Sequence, residues 1–164
     1  MLAKQRLASS DKRILDVNAL AMFLVGDHPG HVYLVEVIER GLRGAYLPLI
    51  MDILPVRAYW IMTRRWKCDP AESRDAIIHF ITAYDSPAYF QIMKETIPRS
   101  FEIAEETGHD LFDCMYVGAA LQEKATGIVT TDTAFQKLCK RYKLNYWNPV
   151  PGEVLKRFKD WRVA

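Results

Sequence analysis

Apolar and polar positions along this chain change period many times. Short apolar runs of strand length alternate with longer stretches whose apolar residues recur at three- and four-residue intervals. The run at 14–16 (Ile-Leu-Asp) predicts a first strand, and 18–25 (NALAMFLV) a helix. A turn cluster, Gly26-Asp27-His28-Pro29-Gly30, precedes an amphipathic helix over 31–41, which Gly41 and Gly44 bracket. The pattern then predicts a short strand at 45–48 and a long apolar helix at 49–65. Pro55 is tolerated only in a first turn, so that helix starts near Asp52 or is kinked there. Asp69-Pro70-Ala71-Glu72 is a helix start with Asp as cap, and that helix runs to about residue 84.

Beyond Ser86-Pro87 the stretch 89–93 fits strand or helix equally. Helices follow at 96–107, closed by Gly108, and at 110–123, where Gly118-Ala119-Ala120 suits close packing. A strand at 127–131, a helix to Arg141, a strand at 144–147 and a last helix at 153–158 complete the chain. Strands separated by one or two helices predict an α/β fold with a mostly parallel sheet covered on both faces. With 164 residues, no repeat and no long linker, one domain over 1–164 is expected, its core about 13–150.

Composition narrows the chemistry only slightly. Half the residues are hydrophobic, a quarter are charged, and the net charge is +2. This permits a nucleic-acid partner without announcing one. Cys68, Cys114 and Cys139 form no CxxC pair, which argues against a zinc knuckle or disulfide framework and for a reducing, cytoplasmic setting. The start of the chain, Met1 to Arg6, leads into polar residues, and no apolar run has the length of a membrane span.

Acidic side chains change the picture more. In a parallel sheet, ligands bind beyond the C-terminal strand ends. Asp16 ends the first strand and Asp132 follows the run 127–131. Asp110 and Asp113 share one face at a helix start that packing would bring to the same sheet edge. Two carboxylates about 4 Å apart repel by roughly 4 kcal/mol at an effective dielectric of about 20. Mg²⁺ or Mn²⁺ is the natural compensation for an all-oxygen cluster. Each acid also has a plainer reading: Asp132 and Asp110 can cap the helices they precede. Asp113 and Asp16 sit among apolar residues, where an unpartnered acid is costly.

The segments carrying these acids resemble the PIN-domain nucleases. Ile14-Leu15-Asp16-Val17-Asn18-Ala19-Leu20 is similar to the family's opening Asp-x-Asn motif. Asp113-Cys114-Met115-Tyr116-Val117-Gly118-Ala119-Ala120-Leu121 is similar to its acid-bearing small-residue helix, and Ile128-Val129-Thr130-Thr131-Asp132-Thr133-Ala134-Phe135 to its Val-Thr-x-Asp-x-x-Phe segment. The resemblance implies a three-layer sandwich with four to five short strands, and a metal-dependent ribonuclease such as the VapC-type toxins. Asp16, Asp113 and Asp132 would be metal ligands for Mg²⁺ or Mn²⁺, with Asn18 supporting the first acid and Thr130 the last. An RNA substrate, an antitoxin partner and a homodimer are implied in the same way.

One departure stands out. The family has a Glu on the helix after the second strand, whereas between Pro48 and Met62 the only carboxylate here is Asp52, with Arg57 near the aligned position. Asp52 either replaces that acid or caps a helix, and Asp110 is a second substitute. A site degraded by this loss would leave an RNA- or partner-binding module instead. Arg64, Arg65 and Lys67, and Lys137, Lys140 and Arg141, are candidate phosphate contacts. Tyr59, Trp60 and Trp66 read as core, or as a dimer face if exposed. A response-regulator receiver would need a Lys after the last strand, and a haloacid-dehalogenase phosphatase an Asp where Asn18 stands.

Overall fold

The structure, a computed structural model, describes residues 11–163. The stretch from Met1 to Arg6, and the polar residues it leads into up to residue 10, lie outside the described residues. Five parallel strands form one sheet: β1 (Lys12–Leu15), β2 (Leu47–Met51), β3 (Ala88–Phe90), β4 (Gly127–Val129) and β5 (Asn145–Trp147), in the order β3-β2-β1-β4-β5. The helices are α1 (Val17–Leu24), α2 (His31–Leu42), α3 (Leu54–Trp60), α4 (Pro70–Ala83), α5 (Thr96–Thr107), α6 (Leu111–Glu123), α7 (Phe135–Arg141) and α8 (Gly152–Leu155). Right-handed crossovers place α1 to α4 on one face and α5 to α7 on the other. Contacts of α1 with α2 and α3, and of α6 with α5 and α7, agree with that split. Ile14, Leu15, Ile50, Ile128 and Val129 are fully buried between the layers. Among the described residues no helix is long and apolar enough to cross a membrane.

The expected elements recur with one substantial correction. Leu49, Ile50 and Met51 belong to β2 and not to the following helix. They lie in a central strand covered on both faces, where an unbroken apolar run is stable and carries no period to separate it from helix. Pro48 fits because pairing with β3 begins only at Leu49↔Ala88, so its missing N–H costs no ladder bond there. Helix α3 therefore starts at Leu54 with Pro55 in its first turn. Its N-cap is Ile53, without a side-chain bond, so Asp52 is not the cap and lies in the preceding turn. The ambiguous stretch after Ser86 is strand β3, and the last helix stops at Leu155 instead of Phe158.

After Trp60 the helix continues as a π-helical turn, Ile61–Arg65, in which the Trp66 amide donates to the Ile61 carbonyl at 3.0 Å. The wider turn buries Trp66, 6 % exposed, while Trp60 is 57 % exposed, so only the first fits the core expectation.

Close backbone approach fixes the sheet at β4. A Cβ on Gly127 would run into the Asn145 carbonyl oxygen of the paired strand β5. Gly127→Ala is expected to cost about 2–3 kcal/mol, seen as a lowered urea midpoint. An unchanged midpoint would show that β5 yields freely.

Candidate functional site

Strand order reverses at β1: β2 and β3 lie to one side, β4 and β5 to the other. Helices leave opposite faces there, which opens a crevice at the C-terminal ends of β1 and β4. Leu15 pairs with Val129, so the residues just beyond, Asp16 and Thr130, emerge side by side.

Asp16 is held from two directions. It is the N-cap of α1, its Oδ1 accepting from the Ala19 amide at 2.6 Å, and its Oδ2 accepts from the Thr130 hydroxyl at 2.5 Å. The Asp132 amide donates to the same Thr130 Oγ1 at 3.0 Å. Thr130, fully buried, thereby ties the first acid to the loop that carries Asp132. The hydrogen bonds reaching the Asp16 carboxylate come from Thr130 and Ala19; Asn18 makes none to it and lies on the crevice wall. With 2 % exposure, Asp16 has its carboxyl pushed up to about 7, first by burial and then by the charges of Asp132 and Asp113.

The third arm comes from α6. Asp110 caps that helix through a 2.8 Å bond from the Phe112 amide, and Asp113 stands in its first turn. Burial, with Asp132 and Asp110 nearby, raises the Asp113 carboxyl to about 6. Asp132 also accepts from the Ala134 amide at 2.8 Å. The plainer capping roles of Asp110 and Asp132 are therefore real, and both acids still line a cavity of about 230 Å³ together with Asp16 and Asp113. Asp52 is outside that lining, exposed in its turn.

The rest of the cavity wall is cationic and aromatic. Arg57 and Arg65 line the same cavity, as do Trp60 and Phe112. Arg57 sits over the Phe112 ring at 4.8 Å. Neither arginine forms an ion pair among the described residues, so four carboxylates and two guanidinium groups share one cleft without neutralising each other. The sequence marked Arg57 only as the occupant of an expected acid position and Arg65 as one of several cations. Trp60 and Phe112 showed only as apolar residues on helices, with no signal of facing the site.

The donor set fits a hard divalent cation: it is all oxygen, mutually repelling and anchored by one buried carboxylate. Among the described residues no group of three Asp, Glu, His or Cys side chains is already arranged to hold an ion. The acids thus supply charge and donors without a preformed coordination shell.

The sequence matches the PIN domain family over residues 13–141. No curated protein matches it at a significant level. Among solved structures, the fold is similar to the Mycobacterium tuberculosis toxin VapC20, which cleaves the sarcin–ricin loop (TM-score 0.62, 9 % identity, 76 % of this chain and 93 % of that one). It is similar to VapBC2 from Rickettsia felis bound to a fragment of its promoter DNA (0.60, 16 % identity, 84 % and 98 %). A toxin–antitoxin complex from Klebsiella pneumoniae gives 0.54 at 15 % identity, covering 76 % and 90 %.

Proposed function

The chain belongs to the PIN-domain family, and from that membership we propose that it is a metal-dependent endoribonuclease that hydrolyses RNA phosphodiester bonds. The observation that carries the reading is the convergence of Asp16, Asp113 and Asp132 on one cavity, with two carboxyl groups raised toward neutrality by burial and by one another. Such mutual destabilisation is what a bound cation relieves.

Asp16, Asp113 and Asp132 would hold Mg²⁺ or Mn²⁺, with Asp110 within the same cavity as a further oxygen donor. When bound, the ion supplies Lewis-acid polarisation of the phosphodiester and a water acidic enough to act as nucleophile near neutral pH. Thr130 fixes the direction of the Asp16 carboxylate. Arg57 and Arg65 attract the non-bridging phosphate oxygens, and their fixed charge favours the extra negative charge of the transition state. Trp60 and Phe112, 57 % and 53 % exposed, offer ring faces on which unpaired bases stack. Asp52 serves as a replacement acid only if its turn moves toward the cavity.

An antitoxin-type protein partner and a homodimer belong to the same reading. They are supported by the toxin–antitoxin complexes among the structural relatives and by apolar surface at Ile53 and Val56 near α3 and at Ile97 and Phe101 on α5.

Arg57 on the cavity wall favours one other reading, a PIN fold that binds RNA or a partner without cutting. Mn²⁺ titration by calorimetry, beside an RNA cleavage assay, separates the two. A nuclease is expected to show saturable binding at or below about millimolar metal and cleavage that EDTA abolishes and Mn²⁺ restores. RNA binding with no saturable metal site would establish the binding module.

A further inference from the structure

A second cavity, of about 300 Å³, adjoins the acid cavity and shares three wall residues with it: Asn18, Arg65 and Asp132. Its other walls differ in kind. Thr131 and Thr133 bring hydroxyl groups from the loop after β4, and Trp66 and Phe158 bring rings. Phe158 and Leu155 lie beyond residue 141, where the family match ends, so this wall is built by the chain's own C-terminal segment.

His28 lies at the inner wall with 3 % exposure. The Gly30 amide donates to its Nδ1 at 3.0 Å, so the neutral ring carries its proton on Nε2. That Nε2–H is buried and has no hydrogen-bond partner. Ring contacts with Trp66, Phe158 and Trp161, at centroid distances of 4.5, 4.7 and 4.5 Å, hold the imidazole in place and offset only part of the missing bond. An unsatisfied buried donor on a residue that lines a cavity marks a place where an acceptor is wanted.

We propose that this second cavity seats one unpaired nucleotide of the substrate, its phosphate at Arg65 and its base between the Phe158–Trp66 wall and the polar groups of Asn18, Thr131, Thr133 and His28. The inference rests on the ribonuclease reading, since it is the shared Arg65–Asp132 boundary that sets the nucleotide beside the phosphodiester to be cut. A base in a duplex cannot enter a pocket of this size, so the substrate at this position is single-stranded or splayed. The Nε2–H donates to a base carbonyl or ring nitrogen, and the hydroxyl and amide groups complete its edge.

The test reads binding without metal. In ¹⁵N-labelled protein the ring signals of the four histidines are followed in EDTA while each of the four 5′-mononucleotides, or inorganic phosphate, is added. At least one nucleotide is expected to shift the His28 ring signal saturably, and phosphate alone is expected to leave it in place. Thr133 is exposed, so Thr133→Val leaves the core intact and is expected to weaken that nucleotide about tenfold. No shift at His28 with any nucleotide, or equal affinity in Thr133→Val, overturns the proposal. RNA cleavage without a His28 shift would remove the subsite and leave the nuclease. A His28 shift without cleavage would keep the nucleotide site and remove the nuclease.

Discussion

Asp16→Asn is expected to lower metal-dependent RNA cleavage by at least about a hundredfold, because even partners of metal ligands are worth 10–100-fold. The substitution is nearly isosteric. Asn is as good an N-cap as Asp, so the bond from the Ala19 amide survives and α1 keeps its start. What is lost is the one carboxylate fixed from both sides, by Ala19 and by Thr130. The same change should raise the thermal midpoint of the metal-free protein above neutral pH, since a carboxyl raised to about 7 is a buried charge that opposes folding. More stable and inactive is the expected pair of results. Equal cleavage by both proteins, in matched Mn²⁺, would sink the assignment.

The second large effect is a loss of metal-free stability as pH rises from about 5 to 7.5. Asp16 titrates at about 7 and Asp113 at about 6 in the folded chain, against about 3.9 for an ordinary Asp. Across this window the folded state holds protons that the unfolded state has released, so stability falls with rising pH until both are ionised. For Asp16 the full opposition above pH 7 is at most about 4 kcal/mol; Asp113, half-buried, contributes less. His28 acts in the opposite sense. Burial, then the nearby His31, lowers it to about 4, so below its ordinary pKa the unfolded state takes up a proton that the folded state refuses. His28 and Asp113 therefore offset each other through much of the range, and the decline belongs mainly to Asp16. Urea midpoints in EDTA should fall from pH 5 to 7.5 in the wild type and stay nearly level in Asp16→Asn. Mn²⁺ at about a hundred times its Kd should restore roughly 2.7 kcal/mol at pH 7.5. A wild-type midpoint that rises with pH would contradict the account.

Local chemistry explains which features were legible in the sequence. Ile14-Leu15-Asp16 could be read as a strand end because an acid after a short apolar run has few other places to go, and the Asp110-to-Asp113 spacing places both on one helix face whatever the fold. The β2–α3 boundary was hidden: a buried parallel strand and a buried helix share the same composition, and Leu47 to Met51 runs on into the apolar residues of α3. Trp60 and Trp66 looked alike in sequence, but the π-helical turn between them sends one to solvent and the other inward. The second cavity left no trace, since His28 and Phe158 meet only through tertiary packing.

That π-helical turn also determines how this wall can change. An α-helix advances about 100° per residue, and the turn at Ile61–Arg65 holds one residue more than the regular spiral needs. Removing a single residue there would return the helix to ordinary phase, carry Arg65 away from the carboxylates and leave Trp66 without its core position. Relatives that differ by such an insertion or deletion would keep the sheet, its acids and Arg57 on α3 while moving Arg65 out of the cleft in one step, a jump that point substitutions reach only through several intermediates.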